Sequence, residues 1–316
     1  MNISVVIPNY NGGKYIESCL DSLYLQTLMP DEIIIVDNNS MDKSKAIIKS
    51  KYAKVKLISL NKNYGFSRAV NEGLKIAKGK YVILLNNDTK AEVTWVENLY
   101  NTIRSNNEIF SCSSKMLKYH DKDLIDDAGD EYTILGWARK RGDSKNKKLY
   151  TKSEEVFSSC AGAAIYKRDI FFEIGYFDEK FFAYLEDMDI SYRARLFGYI
   201  NYYCANAVIY HIGSATTGSK HNSFKARLSS RNNVYLIYKN MPLIQIIFNI
   251  PFIFIGYLTK LVFFTTKGYG KDYLAGSIEG IKGTKDMSKI KSNSGFMIYF
   301  KIQLKLIKNT LKIFSF

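Results

Sequence analysis

Apolar residues in the first ninety positions come in short unbroken runs, not in alternation. "ISVVIP" (3–8), "EIIIVD" (32–37), "VKLISL" (55–60) and "YVILL" (81–85) are rich in Val, Ile and Leu. Runs of this length and composition predict strands buried on both faces. Between them the apolar spacing changes to the helical kind, as at Ile16, Cys19, Leu20 and Leu23 within "YIESCLDSLYLQT" (15–27). "DKSKAIIKSK" (42–51) and "FSRAVNEGLKIA" (66–77) read as two further helices. Strands alternating with helices predict an α/β fold, with a parallel sheet covered on both faces.

The carboxyl ends of these strands are all polar. They carry Pro8-Asn9-Tyr10-Asn11, Asp37-Asn38-Asn39, Asn61-Lys62-Asn63 and Asn86-Asn87-Asp88. One such end is an ordinary turn. Four on one edge predict a pocket, because open α/β sheets bind ligands outside the carboxyl ends of their strands. The chain has no G-x-G-x-x-G and no Walker A sequence, which disfavours a dinucleotide fingerprint or a P-loop.

Residues 110–235 are mixed and rich in Tyr and Phe. Within them, 185–197 have helical character and stop at Gly198. Glu186, Asp187 and Asp189 crowd the first turn. Acids there complement the helix dipole. These three also stand against Phe181, Phe182 and Tyr184, surroundings that raise a carboxyl pKa and suit a general base. Asp189 is expected to pair with Arg193 four residues on.

From 236 the character changes again. "LIQIIFNIPFIFIGYLTKLVFF" (243–264) has the length of a membrane span, but it contains Gln245, Asn249, Pro251 and Lys260. An interfacial or re-entrant helix is therefore expected over a true span. Lys301, Lys305, Lys308 and Lys312 form one stripe on an otherwise apolar helix, a pattern suited to an anionic membrane surface. The net charge of +15 is concentrated here: residues 267–316 hold ten Lys against Asp272, Glu279 and Asp286, a balance of +7. Because the lysines lie beside apolar helices and not beside stacking aromatics, a nucleic-acid polymer is not the expected partner. Cys19, Cys112, Cys160 and Cys204 are far apart, which fits a reducing compartment and argues against a zinc knuckle. The start, "MNISVVIPNYN", lacks a positive n-region and reads as a strand, so no signal peptide is expected.

"VVIPNYNGGKYIESCLDSLYLQT", "EIIIVDNNSMDKS", "NKNYGFSRAVNEGLKIAKGKYVILLNNDT" and "FDEKFFAYLEDMDISYRARLFGY…AVIYHIGS" together resemble the family-two glycosyltransferases, and within them the rhamnosyltransferase-like branch. The resemblance covers about residues 1–235. It implies a GT-A fold: a Rossmann-like, mostly parallel sheet flanked by helices, here with a C-terminal helical, membrane-associating extension. The implied divisions are a nucleotide-sugar-binding half (1–115), an acceptor-binding and catalytic half of the same domain (116–235), and the extension (236–316). Residues 116–157 are expected to hold part of the acceptor site.

The resemblance also implies roles. Pro8, Asn9, Tyr10, Asp37, Asn38, Asn63, Gly65 and Arg68 would surround the nucleotide, with Asp37 accepting from the base. Asn87 would meet the ribose. Asp88 would bind Mg²⁺ or Mn²⁺, with His211 as a second ligand, although Asn86-Asn87-Asp88 has an amide where the family's element has a further carboxylate. His120 and His221 have no such context. Asp187 would be the catalytic base, supported by Glu186. The implied activity is inverting, metal-dependent transfer from dTDP-rhamnose or a UDP-hexose to a surface polysaccharide or glycolipid, at the cytoplasmic face of the membrane. The alternative is a catalytically inactive homologue that binds nucleotide sugar or glycan.

Overall fold

The four apolar runs form the strands that their pattern predicts. In the computed structural model, which describes residues 2–213, 221–292 and 295–314, these are β1 (Ile3–Asn9), β2 (Glu32–Asp37), β3 (Lys56–Ser59) and β4 (Tyr81–Leu85). They lie in the order β3-β2-β1-β4, and each neighbouring pair is parallel. The helices between them are α1 (Ile16–Tyr24), α2 (Ser44–Lys51) and α3 (Phe66–Ile76).

Both strand faces are covered, which is why the runs are continuous and not alternating. Ile3, Val5 and Ile7 pack with Ile16, Cys19 and Leu20 of α1. Val6, Ile34 and Val36 face the other way, onto Ala69, Val70 and Leu74 of α3. The register sets Asn9 beside Asp37 and Asp37 beside Ser59, so the polar strand ends stand level on one edge.

The chain continues through β5 (Thr89–Ala91), α4 (Trp95–Arg104), β6 (Ile109–Lys118), β7 (Asp121–Asp127), β8 (Asp130–Tyr132), β9 (Ala138–Lys140) and β10 (Glu154–Val156). After these come β11 (Ala163–Lys167), α5 (Ile170–Ile174), α6 (Glu186–Leu196) and β12 (Ile200–His211). β11 joins β4 and β6 antiparallel, and β12 joins β6 parallel. Among the described residues this makes one ten-stranded sheet, with β8 and β9 paired apart from it. The implied division at 115/116 lies within β6.

Four helices follow: α7 (Ser223–Asn240), α8 (Leu243–Thr266), α9 (Gly270–Gly283) and α10 (Phe296–Phe314). The expected division at 235/236 likewise falls inside α7. α8 is inverted relative to a helix of a water-soluble core. Its buried side chains include Gln245 and Asn249, while Leu243, Ile244, Ile247, Phe248 and Phe254 are exposed. The Gln245 and Asn249 amides donate to Gln303 of α10 at 2.8 and 2.9 Å, and Tyr192 Oη donates to Gln245 at 3.2 Å. Gln245 and Asn249, two of the residues that argued against contact with lipid, therefore face protein. Among the described residues α8 is the one helix long and apolar enough to cross a membrane.

The lysine stripe of α10 divides. Lys305 reaches Glu155 (3.3 Å) and Lys312 reaches Glu131 (2.9 Å), whereas Lys301 and Lys308 stay exposed. Lys305 is the member drawn inward, while Lys312 stays exposed beside Glu131. Once a buried carboxylate such as Glu131 is within reach, a lysine is held against the protein. Met297, Phe300, Leu304, Ile307 and Leu311 are exposed as well.

α6 is locked by the expected pair and by two further partners. Asp189 Oδ2 accepts from Arg193 Nη2 at 2.7 Å and from Lys239 Nζ at 3.0 Å, while Oδ1 accepts from Asn240 at 2.8 Å. Burial opposes the charge on Asp189, but Arg193 and Lys239 outweigh it and hold the carboxyl below its usual range. That stability is fully present above the unfolded carboxyl's value and is lost as pH falls through the depressed folded one. Asp189→Ala leaves buried Arg193 without a carboxylate and Lys239 with Asp178 alone, and is expected to cost about 3–5 kcal/mol, read by denaturant unfolding at neutral pH.

Candidate active site

The strand ends are tied together by their own amides. Asn87 Nδ2 donates to Asn9 Oδ1 (2.7 Å), and Asn9 Nδ2 donates to Asp37 Oδ1 (2.8 Å). Asp37 Oδ2 accepts from the Ser40 backbone N–H at 3.0 Å. Next to this chain, Asn38 Nδ2 donates to Asn63 Oδ1 (2.9 Å) and Asn38 Oδ1 accepts from the Tyr64 N–H (2.9 Å). Asn9, Asp37 and Asn87 are buried and satisfy one another, so they form a floor. The more accessible predicted residues are Pro8, Tyr10, Asn63 and Arg68. The Arg68 guanidinium lies over the Tyr64 ring at 4.1 Å, and its nearest acid is Glu179 at 3.8 Å.

Two glycines matter here. A Cβ on Gly12 would overlap the Asn87 and Asn9 side chains, so only a glycine lets the turn after β1 close over this floor. Gly65 has φ +87°, and a Cβ there would overlap the Phe182 carbonyl. Gly65, expected beside the nucleotide, thus lets α3 close on the loop before α6. The Phe66 and Ser67 N–H groups donate to Phe182 O at 2.6 and 3.3 Å.

Asp88 and His211 lie together: Nε2 is 3.3 Å from Oδ1. β5 places them, since Thr89 pairs with His211 across the β5–β12 ladder. His211 Nδ1 bonds Asp126 Oδ2 at 2.7 Å. That bond fixes the ring and directs Nε2 toward Asp88, as an outer carboxylate does for a metal-bound histidine. Two ligands at right angles on an ion with bonds of about 2.1 Å stand about 3 Å apart. The separation and the hard carboxylate oxygen are compatible with Mg²⁺ or Mn²⁺, whereas the imidazole nitrogen by itself suits later transition ions. Burial pushes the His211 pKa down, but the bonds to Asp126 and Asp88 outweigh it and raise it to about 9. Metal at Nε2 must displace that proton, so its binding weakens as pH falls.

Asp187 stands at the start of α6, on a strained approach. Phe182, Tyr184 and Leu185 have φ of 62°, 71° and 66°, a region that side chains of this size rarely adopt. Asn232 of α7 holds the turn, its Nδ2 lying 2.8, 2.8 and 2.7 Å from the carbonyls of Phe181, Ala183 and Tyr184. Asp187 accepts from the Met188 N–H at 2.8 Å and the Ala161 N–H at 3.4 Å. The neighbouring Gly162 carbonyl accepts from the Asn86 N–H at 2.8 Å, so one short turn touches both Asp187 and the Asn86-Asn87-Asp88 end. Burial raises the pKa of Asp187 above the ordinary value, and the backbone donors oppose it. Burial also raises that of Glu186, followed by repulsion from Asp187.

Sequence reasoning missed Asp126 and Asn232, and also Asp127, Asp130 and Cys160, whose ligand atoms lie within 4.8 Å of one another. Burial pushes Asp127 up to about 6. The visible signal was "DDAGD" (126–130), three acids around a glycine between two short strands.

Residues 4–175, more than half of the chain, match the model of "Glycosyl transferase family 2". YwdF of Bacillus subtilis (strain 168), an uncharacterized glycosyltransferase, is 29% identical over 246 residues, covering 74% of this chain and 85% of its own. The cholesterol galactosyltransferase of Borreliella burgdorferi is 35% identical over 114 residues, 35% of this chain and 32% of that one. The crystal structure of GalNAc-T7 with UDP, GalNAc and Mn²⁺ superposes with a TM-score of 0.61 at 19% identity, over 75% of this chain and 47% of that one. That likeness bears on the fold alone. The match spans about a third of the length of two such curated relatives, the borrelial enzyme among them.

Proposed function

The chain belongs to glycosyl transferase family 2, with the GT-A fold, and from that membership we propose that it transfers a sugar from a nucleotide-sugar donor to a glycan or glycolipid acceptor. The observation that carries this reading is the pairing of Asp88 with His211 at the edge where four polar strand ends gather, one turn of chain from Asp187. The base and ribose would lie against Pro8, Tyr10 and Asn63, above the Asn9–Asp37–Asn87 floor. Asp88 and His211 would hold a divalent cation, which neutralises the departing nucleoside diphosphate as a Lewis acid. Mn²⁺ accompanies UDP in GalNAc-T7, which supports this assignment.

Asp187 accepts the proton of the acceptor hydroxyl as that oxygen attacks the anomeric carbon. The sugar–diphosphate bond breaks on the opposite face, so a single displacement inverts the centre. Glu186 flanks the base. The donor is dTDP-rhamnose or a UDP-hexose, following the rhamnosyltransferase-like pattern of the motifs. The acceptor is a surface polysaccharide or glycolipid. The transfer is expected to stop in EDTA and return with Mn²⁺ or Mg²⁺. Nucleotide-sugar binding without turnover under any metal would favour the inactive homologue that Asn86 and Asn87 suggest.

The outward apolar faces of α8 and α10 support a peripheral or monotopic position at the cytoplasmic face of the membrane. Phe248→Lys with Phe254→Lys is expected to reduce pelleting with phosphatidylglycerol vesicles. Unchanged pelleting would remove α8 from the membrane contact.

A further inference from the structure

Helix α7 lies outside residues 4–175, the part of the chain that matches the family model. It nevertheless holds the approach to Asp187. Asn232, Lys239 and Asn240 stand at i, i+7 and i+8, on one face of the helix. Asn232 Nδ2 takes the carbonyls of Phe181, Ala183 and Tyr184. Lys239 Nζ bonds Asp178 Oδ2 at 2.7 Å, before the turn, and Asp189 Oδ2 at 3.0 Å, after it. Asn240 adds its bond to Asp189 Oδ1. The segment 178–189 is gripped in its middle and at both ends, and Asp187 lies inside the grip.

Asn232 is the informative member. It is fully buried, and three carbonyls share its two N–H groups. Arg231 Nε donates to Asn232 Oδ1 at 3.0 Å, which turns the amide's N–H groups toward the turn. Arg231 Nη2 adds bonds to the Lys180 and Phe181 carbonyls, both at 3.1 Å. A backbone with three left-handed side chains persists only where its surroundings over-determine it. Leu185, the last of the three, is the residue on which α6 starts, and its carbonyl accepts the Asp189 N–H at 2.9 Å. That bond closes the first turn of α6 around Asp187, so movement of Leu185 moves Asp187 with it. α7 is itself fixed. A Cβ on Gly276 or Gly280 of α9 would overlap the carbonyl of Arg227 or Arg231, so the two helices meet backbone to backbone.

We propose that Asn232, oriented by Arg231, is a positioning residue for Asp187, and that α7 is part of the transfer apparatus and not only a mount for the outer helices. Calling Asp187 the base rests on the transfer reading; the positioning of its carboxyl does not.

The test follows the Asp187 carboxyl carbon by ¹³C NMR on the full chain, with the signal assigned by its loss in Asp187→Asn. Asn232→Ala is expected to loosen the turn and admit water. The Asp187 titration should then move down toward the ordinary carboxylate range, since burial is what raises it. Arg231→Met keeps the stem without the donors and is expected to cause a smaller shift of the same sign; it decides the matter if Asn232→Ala does not fold. Asn249→Ala removes a buried amide of α8 and controls for lost stability, so it should leave the Asp187 signal unchanged. An unchanged titration in the folded Asn232 and Arg231 variants overturns the proposal, as does an equal shift in Asn249→Ala. Release of nucleoside diphosphate, with Mn²⁺ and water as acceptor, gives a second readout on dTDP-rhamnose, UDP-glucose, UDP-galactose, UDP-GlcNAc and GDP-mannose. In Asn232→Ala kcat is expected to fall about 10²-fold, as for a reacting group misplaced by about 1 Å, with the donor KM unchanged. Full kcat in that variant overturns the proposal. Release from none of these donors by wild type counts against the transfer reading alone, and the carboxyl signal still decides the positioning.

Discussion

Asp187→Asn is expected to slow sugar transfer by about 10²–10⁴-fold, the usual contribution of a positioned general base. Nucleotide-sugar affinity should stay unchanged. Asn has the shape of Asp, and its oxygen can still accept the Met188 N–H that orients Asp187. What is lost is the ability to take a proton, together with the long bond from the Ala161 N–H at 3.4 Å. The three left-handed residues before α6 and the Asn232 clamp should persist, because none of them depends on the carboxylate charge. A pH profile adds a second readout. Burial holds the Asp187 pKa above its ordinary value, so the active, ionised form is gained as pH rises through that raised value. Wild-type kcat/KM should therefore fall on the acid side, with an inflection above the ordinary carboxylate range, and the variant should lose that limb. A full-rate Asn variant would move the base elsewhere, with Glu186 the next group to test.

Asp88→Ala is expected to weaken metal-dependent donor binding by more than the 10–100-fold that follows loss of an outer partner such as Asp126. Asp88 contributes the carboxylate oxygen 3.3 Å from His211 Nε2, and the adjacent strand end offers amides at Asn86 and Asn87. No second carboxylate of that element can replace it. The variant should keep its fold, because the floor runs through Asn87, Asn9 and Asp37 and does not include Asp88. Mn²⁺ titration of the variant in the presence of nucleotide sugar measures the loss, and unchanged affinity would place the cation elsewhere.

The parallel half of the sheet was legible because strands buried on both faces must be apolar at every position, and the sequence shows this directly. The polar ends were legible because nothing in a buried strand calls for Asn-Asn-Asp. Asp126 was not. It lies 85 residues from His211, and β7 meets β6 with two register irregularities, so no periodicity links the two. Asn232 was hidden for a related reason: an amide in a helix gives no sign that it will cap a strained turn on another element. The facing of α8 was not legible, because composition records that Gln245 and Asn249 are present but not which way they face. The ion pairs of Lys305 and Lys312 were hidden in the same way, since Glu155 and Glu131 come from distant segments.

The account turns on a divalent cation and a nucleoside diphosphate meeting at Asp88 and His211. Calorimetry of the full chain against dTDP-rhamnose, UDP-glucose, UDP-galactose, UDP-GlcNAc and GDP-mannose, each with and without Mn²⁺, tests this directly. The predicted result is tight binding of one donor, present with Mn²⁺ and abolished by EDTA. Binding of every donor with no dependence on metal, or of none under any condition, would contradict it.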